Sequence, residues 1–456
     1  MKRTILLGPT LVNEGAMVPG TVVLEGEYIA AVLPGVCCAS DPLLDLRADD
    51  EVIDCANLWL LPGIIDDQVH FREPGLTHKA TIESETRAAV AGGVTSFMDM
   101  PNTNPPTTDL EQLMWKRERA SQTAWCNYSF FVGGTNENMD QVCDIDPTLT
   151  PGIKLFLGSS TGNMLVDREE ALDAFFAHSP LLIATHCESE DIIKRNKEYY
   201  KGLLPSEQLD VHYHSLIRSH EACFLSSQSA VRRAEKYGTR LHILHLSTAQ
   251  ETELFEKDKP LPEKRITGEV CVHHLWFNDE DYDRLGNRIK WNPSIKKEAD
   301  RKALQRALVE GRIDVVATDH APHLLSEKEG NCLRAASGGP LLQYSLLAML
   351  TLAMHENLGD ASWVVQKMAH NPAILFGVYK RGFVRTGYYA DLVLVDPKKP
   401  QRALDASVLS LCGWTPFDGV EFACSIHSTW VNGALVYKEG VLLERPAVHP
   451  IIFNKR

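Results

Sequence analysis

With 456 residues, 44% of them hydrophobic and 23% charged, the chain can bury a large core and has the balance of an ordinary soluble globular protein. Its 46 Lys plus Arg against 60 Asp plus Glu give a formal charge of −14, and no Lys/Arg-rich run offers a phosphate-backbone footprint, which argues against nucleic acid as a partner. No stretch reaches the roughly 18 apolar residues of a membrane span, Leu346 to Met354 being the nearest approach.

The N-terminal segment, beginning Met1-Lys2-Arg3-Thr4, lacks the apolar core of a secretion signal, and the 11 cysteines form no C-x-x-C pair. A reducing cytoplasm is the expected setting. The acidic balance does not exclude an anionic substrate, because one buried Arg can recognise a carboxylate inside an acidic protein.

In chain order, residues 1 to about 54 alternate in short segments such as Thr21 to Val32, broken by Gly and Pro, which predicts small antiparallel strands. Apolar strand-like runs then recur at 62–69, 94–100, 127–132, 152–157, 181–186, 241–246, 267–274 and 313–319. Helical spacing marks Thr81 to Ala91, Leu110 to Ser121, Asp167 to His178, His220 to Tyr237 and Asp300 to Glu310. Eight such βα units predict an α/β fold, a (β/α)8 TIM barrel over 55–377 with its site at the C-terminal ends of the strands. The 340–376 region reads as closing helices. The last part repeats the texture of the first, with Asn432-Gly433 suited to a type I′ hairpin, so 1–54 and 378–456 are expected to combine into one β-sandwich.

The organising stretch is Pro62-Gly63-Ile64-Ile65-Asp66-Asp67-Gln68-Val69-His70-Phe71-Arg72-Glu73-Pro74-Gly75. An apolar strand ends in His70 and Arg72 at alternate positions before a Pro-Gly turn, so both side chains should face one pocket. A lone His or Lys near a strand end is more often structural than a ligand. Here His70, Lys154, His186, His245 and Asp319 all fall at or beside the ends of proposed strands, which a barrel would gather on one rim.

This order resembles the metal set of the amidohydrolase superfamily, and His70-Phe71-Arg72-Glu73-Pro74-Gly75 resembles the His-x-Arg-x-Pro-Gly form of its long bacterial dihydroorotase family. The resemblance implies two Zn²⁺ ions held by His70, Lys154, His186, His245 and Asp319, with Lys154 carboxylated so that its carbamate bridges them. It selects His245 over His242 through His245-Leu246-Ser247, and matches His273-His274 to a His-His pair that need not bind metal. It also implies that Asp319 shuttles a proton, and that Arg72, Asn102, Asn292 and His323 bind substrate.

Arg72 separates close relatives, since hydantoinases and allantoinases act on neutral ureides that would leave such a cation unpaired. The implied activity is closure of N-carbamoyl-L-aspartate to L-dihydroorotate in pyrimidine biosynthesis, by a cytoplasmic homodimer. Two departures stand out. Gln68, a weak ligand, replaces the usual first His, which motivates the alternative of a non-catalytic subunit associating with another pyrimidine-pathway enzyme. Ala335 to Gln343 departs from the family's usual Gly-Leu-Glu pattern. The remaining alternative is a hydantoinase or allantoinase in which Arg72 serves a salt bridge.

Overall fold

The computed structural model describes residues 2–158 and 164–454. It is an α/β protein in which a mixed sheet from both chain ends flanks a run of parallel strands. The N-terminal strands are β1 (Arg3–Leu7), β2 (Thr10–Asn13), β3 (Ala16–Glu25), β4 (Tyr28–Pro34), β5 (Glu51–Asp54) and β6 (Trp59–Pro62). The parallel strands are β7 (Ile64–Val69), β8 (Val94–Asp99), β9 (Asn127–Phe130), β10 (Val132–Gly133), β11 (Ile153–Phe156), β12 (Ile183–His186), β13 (Leu241–Ile243), β14 (Ile266–Cys271) and β15 (Val315–Ala317). The C-terminal part supplies β16 (Leu392–Asp396), the small pair β17 (Gln401–Arg402) and β18 (Glu421–Phe422), then β19 (Ser425–Val431), β20 (Ala434–Lys438) and β21 (Val441–Leu442).

Neighbouring parallel strands follow chain order, β7-β8-β9 in one sheet and β10 through β15 in the other. A single extended stretch, interrupted at Phe131, carries β9 and β10 and so joins the two. At the other end His70 N donates to His320 O at 2.7 Å, and Val69 bridges His320 in parallel. Parallel strands covered on both faces are expected to read as continuous apolar runs, and every residue of β7, β8, β9, β11, β12 and β15 is buried.

Helices connect these strands, and their starts are readable in the sequence. Thr81 caps Ile82–Ala91 in a reciprocal capping box with Ser84, and Asp109 caps Leu110–Thr123 through Gln112 N. The helix His220–Tyr237 begins and ends where its spacing predicts, closing on Gly238 at φ 70. Several expected strands are shorter than their apolar runs, and in β13 and β14 the cut-off end matters to the site. After Ile243 the chain turns so that His245 takes a φ of 41, and after Cys271 it enters the short helix Val272–Trp276, which carries His273 and His274.

The two chain ends meet in one ten-stranded sheet, with β16 pairing antiparallel to both β19 and β6, and β6 parallel to β2. Trp59–Pro62 therefore belongs to this sheet, and the chain passes to the parallel strands at Gly63. Asn432 at φ 48 and Gly433 at φ 77 make the expected hairpin turn between β19 and β20.

A buried polar knot fastens this sheet to the parallel strands. The Asp391 carboxylate pairs with Arg381 and accepts from Asn432 N at 2.9 Å and Asn127 Nδ2 at 3.2 Å, while its backbone oxygen accepts from Gly63 N at 2.7 Å. Removing one member of a buried charge pair strands the other. Asp391→Ala is thus expected to cost about 3–5 kcal/mol, read as a fall in denaturation midpoint at constant m value. A loss below about 1 kcal/mol would show that the knot is not a fastening.

Candidate active site

The pocket forms where β7, β11, β12 and β15 end. Gln68, His70, Arg72, Asn102, Lys154 and Phe156 line it, facing His186, His245, Trp291, Asn292 and Asp319. Of the residues expected to bind metal or substrate, only His323 is not in its wall, and it touches Arg72 from behind.

The delivery of His70 and Arg72 depends on the residue between them. Phe71 turns into the core, 4.5 Å from Phe97 ring to ring, and its N–H donates to Asp99 Oδ1 at 2.8 Å. Asp99 is anchored in turn by Lys116 Nζ at 2.7 Å. With Phe71 held inward, its neighbours face the pocket. Arg72 adopts φ 64, as Asp319 adopts φ 47, a left-handed backbone that non-glycine residues rarely take and that surrounding structure must hold.

One holder is His320. Its Nδ1 accepts from the N–H groups of Leu341 and Leu342, so Nε2 carries the proton and donates to Glu85 Oε2 at 2.7 Å. In the sequence His320 stands out only as a neighbour of Asp319. Fixed between these partners, it sets the backbone on either side of the Asp319 carboxylate.

Asp319 Oδ1 lies 3.1 Å from His70 Nε2 and accepts from Gln68 Nε2 at 3.3 Å. Gln68 thus reaches the cluster although it stands where the resemblance expects a His. Across the pocket, His186 Nδ1 and His245 Nε2 approach to 2.9 Å. Burial pushes both imidazoles down, His245 far below its ordinary value, so they are neutral and keep lone pairs at neutral pH. Glu188 Oε2 lies 3.1 Å from His186 Nε2 and also pairs with Arg218. Burial alone would raise Glu188, yet Arg218 and His186 hold it down to about 2.

Lys154 sits between these two groups of side chains. It is buried, its Nζ finds no hydrogen-bond partner among the described residues, and the nitrogen lies 4.8 Å from the Phe156 ring centre. Burial pushes its pKa down to about 7 despite the opposing attraction of Asp319. The amine is consequently part neutral near pH 7, the form that can react as a nucleophile.

Arg72 forms the other wall. Its Nε donates to Pro322 O at 3.1 Å and its Nη2 lies 3.0 Å from His323 Nε2, so these bonds go to neutral groups. Burial lowers even this guanidinium to about 10, at which it is still a cation at neutral pH. Lys79 Nζ approaches His323 Nδ1 at 3.1 Å, and burial with these two cations drives the imidazole far down. Asn102 is buried at the rim, and Asn292 Oδ1 has no hydrogen-bond partner among the described residues.

A match to the amidohydrolase family model extends over residues 59–436. The chain belongs to the amidohydrolase family. Similar curated proteins include the dihydroorotase of Methanosarcina acetivorans, 32% identical over 412 residues that cover 88% of this chain and 86% of that protein. The dihydroorotase of Halobacterium salinarum is 34% identical over 400 residues, covering 87% and 88% respectively. Among solved structures, the L-hydantoinase of Arthrobacter aurescens superposes with a TM-score of 0.92 at 24% identity over both full chains. The dihydropyrimidinase of Brevibacillus agri gives 0.86 at 22% identity, with 100% and 98% covered. These likenesses show that the amidohydrolase fold is shared.

Sequence reasoning missed several parts of this amidohydrolase pocket. Phe156 was visible in the same strand as Lys154, and strand alternation could have placed it two positions on. Trp291 was adjacent to Asn292. Ser337 and Ala321 carried no signal, because the loop after Asp319 returns to the pocket only in three dimensions. Gly338 makes that return possible: at φ +123 it packs so closely that an added Cβ would stand 2.6 Å from Ala321 O.

Proposed function

We propose that this chain is a dihydroorotase, built on a closed (β/α)8 barrel and acting in pyrimidine biosynthesis. It interconverts N-carbamoyl-L-aspartate and L-dihydroorotate, with release or uptake of water. The observation that carries this reading is Arg72, a buried cation at the pocket wall whose hydrogen bonds go to neutral groups. A substrate carboxylate would give it a directly bonded anion, whereas a neutral ureide would leave it only the through-space attraction of Asp319, Asp99, Glu327 and Glu85. Relatives at 32–34% identity bearing the dihydroorotase name support the same substrate.

The donor set fits divalent metal. Two neutral imidazoles converge to 2.9 Å, the His70 ring stands beside Asp319, and a buried unpartnered lysine amine lies between these groups. His70, Lys154 and Asp319 would hold one ion and Lys154, His186 and His245 the other, with Lys154 as a bridging carbamate and zinc as the metal. When bound, such ions polarise an amide carbonyl and lower the pKa of water toward roughly 7.

The remaining steps belong to the chain. In the ring-opening direction Arg72, backed by His323, and Asn102 hold the exocyclic carboxylate, and Asn292 meets the ring. Water attacks the amide carbonyl carbon, and Asp319 takes its proton. The C–N bond then breaks as Asp319 returns that proton to the departing ring nitrogen. Gln68, donating to Asp319 Oδ1, helps to aim the carboxylate.

This reading includes an accessory β-sandwich from 1–54 and 378–456 to which Trp59–Pro62 also belongs, a barrel over 55–377 whose strands begin after Gly63, and a cytoplasmic homodimer. It is tested by a chelator-controlled assay of the purified protein on L-dihydroorotate, with hydantoin and allantoin alongside. Metal-dependent opening of dihydroorotate alone is expected. Turnover of a neutral ureide instead would overturn the role given to Arg72. Silence on all three after metal restoration would favour a non-catalytic subunit of another pathway enzyme.

A further inference from the structure

A second group of potential ligands lies outside the pocket wall. Asp67 from β7, His242 from β13 and Glu269 from β14 are each fully buried, with one ligand atom apiece lying within 4.8 Å of the others. Strand alternation places Asp67 on the face opposite Gln68. Such a burial of two carboxylates is costly unless something compensates their charge.

The hydrogen bonds of His242 define what its free nitrogen can do. Thr267 Oγ1 lies 3.2 Å from Leu241 O, to which its hydroxyl donates, and 2.8 Å from His242 Nδ1, from which it must therefore accept. Nδ1 accordingly carries a proton, and Nε2 is left facing Asp67 Oδ2 at 3.5 Å and Glu269 Oε2 at 3.6 Å. His242 Nε2, Glu269 Oε2 and both Asp67 oxygens lack hydrogen-bond partners among the described residues. A ring N–H tied to a neighbour while the other nitrogen is aimed at carboxylates is the arrangement that orients metal-bound histidines.

The spacing agrees. Around a tetrahedral ion with bonds of about 2.1–2.2 Å, neighbouring ligand atoms stand about 3.4–3.6 Å apart, as His242 Nε2 does from each carboxylate, which is wider than a good charge-assisted hydrogen bond. Two carboxylates and a neutral imidazole balance a dication.

We propose that Asp67, His242 and Glu269 bind a divalent cation, zinc by donor type, in a sealed site distinct from the ions assigned to the pocket. It would clasp β7 to β13 and β14. The clasp also reaches the pocket floor, since Glu269 Oε1 accepts from His245 N at 3.2 Å and Cys271 Sγ lies between Glu269 Oε1 and Gln68 Oε1, at 3.5 and 3.7 Å. The chain that lacks a first-strand His at Gln68 thus carries a carboxylate one residue earlier, on the other face.

The test is the zinc content of dialysed full-length protein, measured by elemental analysis after chelator treatment. Lys154→Ala is expected to retain about one zinc per chain that resists chelation, and Asp67→Asn added to it to lose that equivalent. Equal zinc in the single and double variants would overturn the proposal. Should the double variant not fold, crystals of the wild-type protein decide, using anomalous maps above and below the zinc edge. A peak enclosed by Asp67, His242 and Glu269 supports the site; none there, with peaks at His186 and His245, refutes it and leaves an imidazolium between two carboxylates. Because metal is read directly, failure here is separate from failure of the dihydroorotase assay.

Discussion

Lys154→Ala is expected to lose dihydroorotate turnover by roughly 1,000-fold or more, since metal polarisation of the carbonyl is worth several kcal/mol. The same variant should lose the metal that bridges the pocket. The reason is the environment of the amine, which burial holds near 7 and which has no hydrogen-bond partner among the described residues. An amine with only a packing role predicts the reverse. Lys154→Met would then keep activity and gain stability, because an unpaired polar group leaves the core. The two roles separate cleanly when Lys154→Met is followed by both activity and thermal denaturation. A stable, inactive, metal-poor variant supports the carbamate, and a stable, active one sinks it.

Arg72→Met should be the other severe lesion. Truncating one partner of a buried charge-assisted contact costs about 2–5 kcal/mol, equivalent to a fall in kcat/KM of about 30-fold to several thousand-fold. Most of it should enter as a raised KM if the carboxylate is held equally in ground and transition states. Arg72→Lys should recover little, since an ammonium cannot reproduce the planar fork that meets a carboxylate. Pocket metal should remain in both variants, because Arg72 bonds Pro322 O and His323 rather than the ligand cluster. Unchanged kcat/KM for dihydroorotate in Arg72→Met would remove the basis for the substrate assignment.

The pocket was legible where chemistry and period coincide. His70 and Arg72 could be paired from alternation, and Lys154, His186, His245 and Asp319 from their recurrence at strand ends. All of these line one cavity. His323 was legible as part of the substrate wall but stands behind Arg72, because the chain after Asp319 folds back through Gly338 and places Ser337 at the rim. The runs at 241–246 and 267–274 read as longer strands than they are, since apolar sequence cannot distinguish a buried strand from the buried turn or short helix that continues it.

The order of apolar runs, the helix caps at Thr81 and Asp109 and the Asn432-Gly433 turn were determined by local sequence, for each rests on interactions within a few residues. The left-handed backbones of Arg72, His245 and Asp319, the lowered amine of Lys154 and the meeting of Asp67 with His242 and Glu269 were decided only by tertiary structure. Burial and the approach of distant segments generate them. Local chain statistics contain neither, since desolvation and long-range contacts exist only once the strands are assembled.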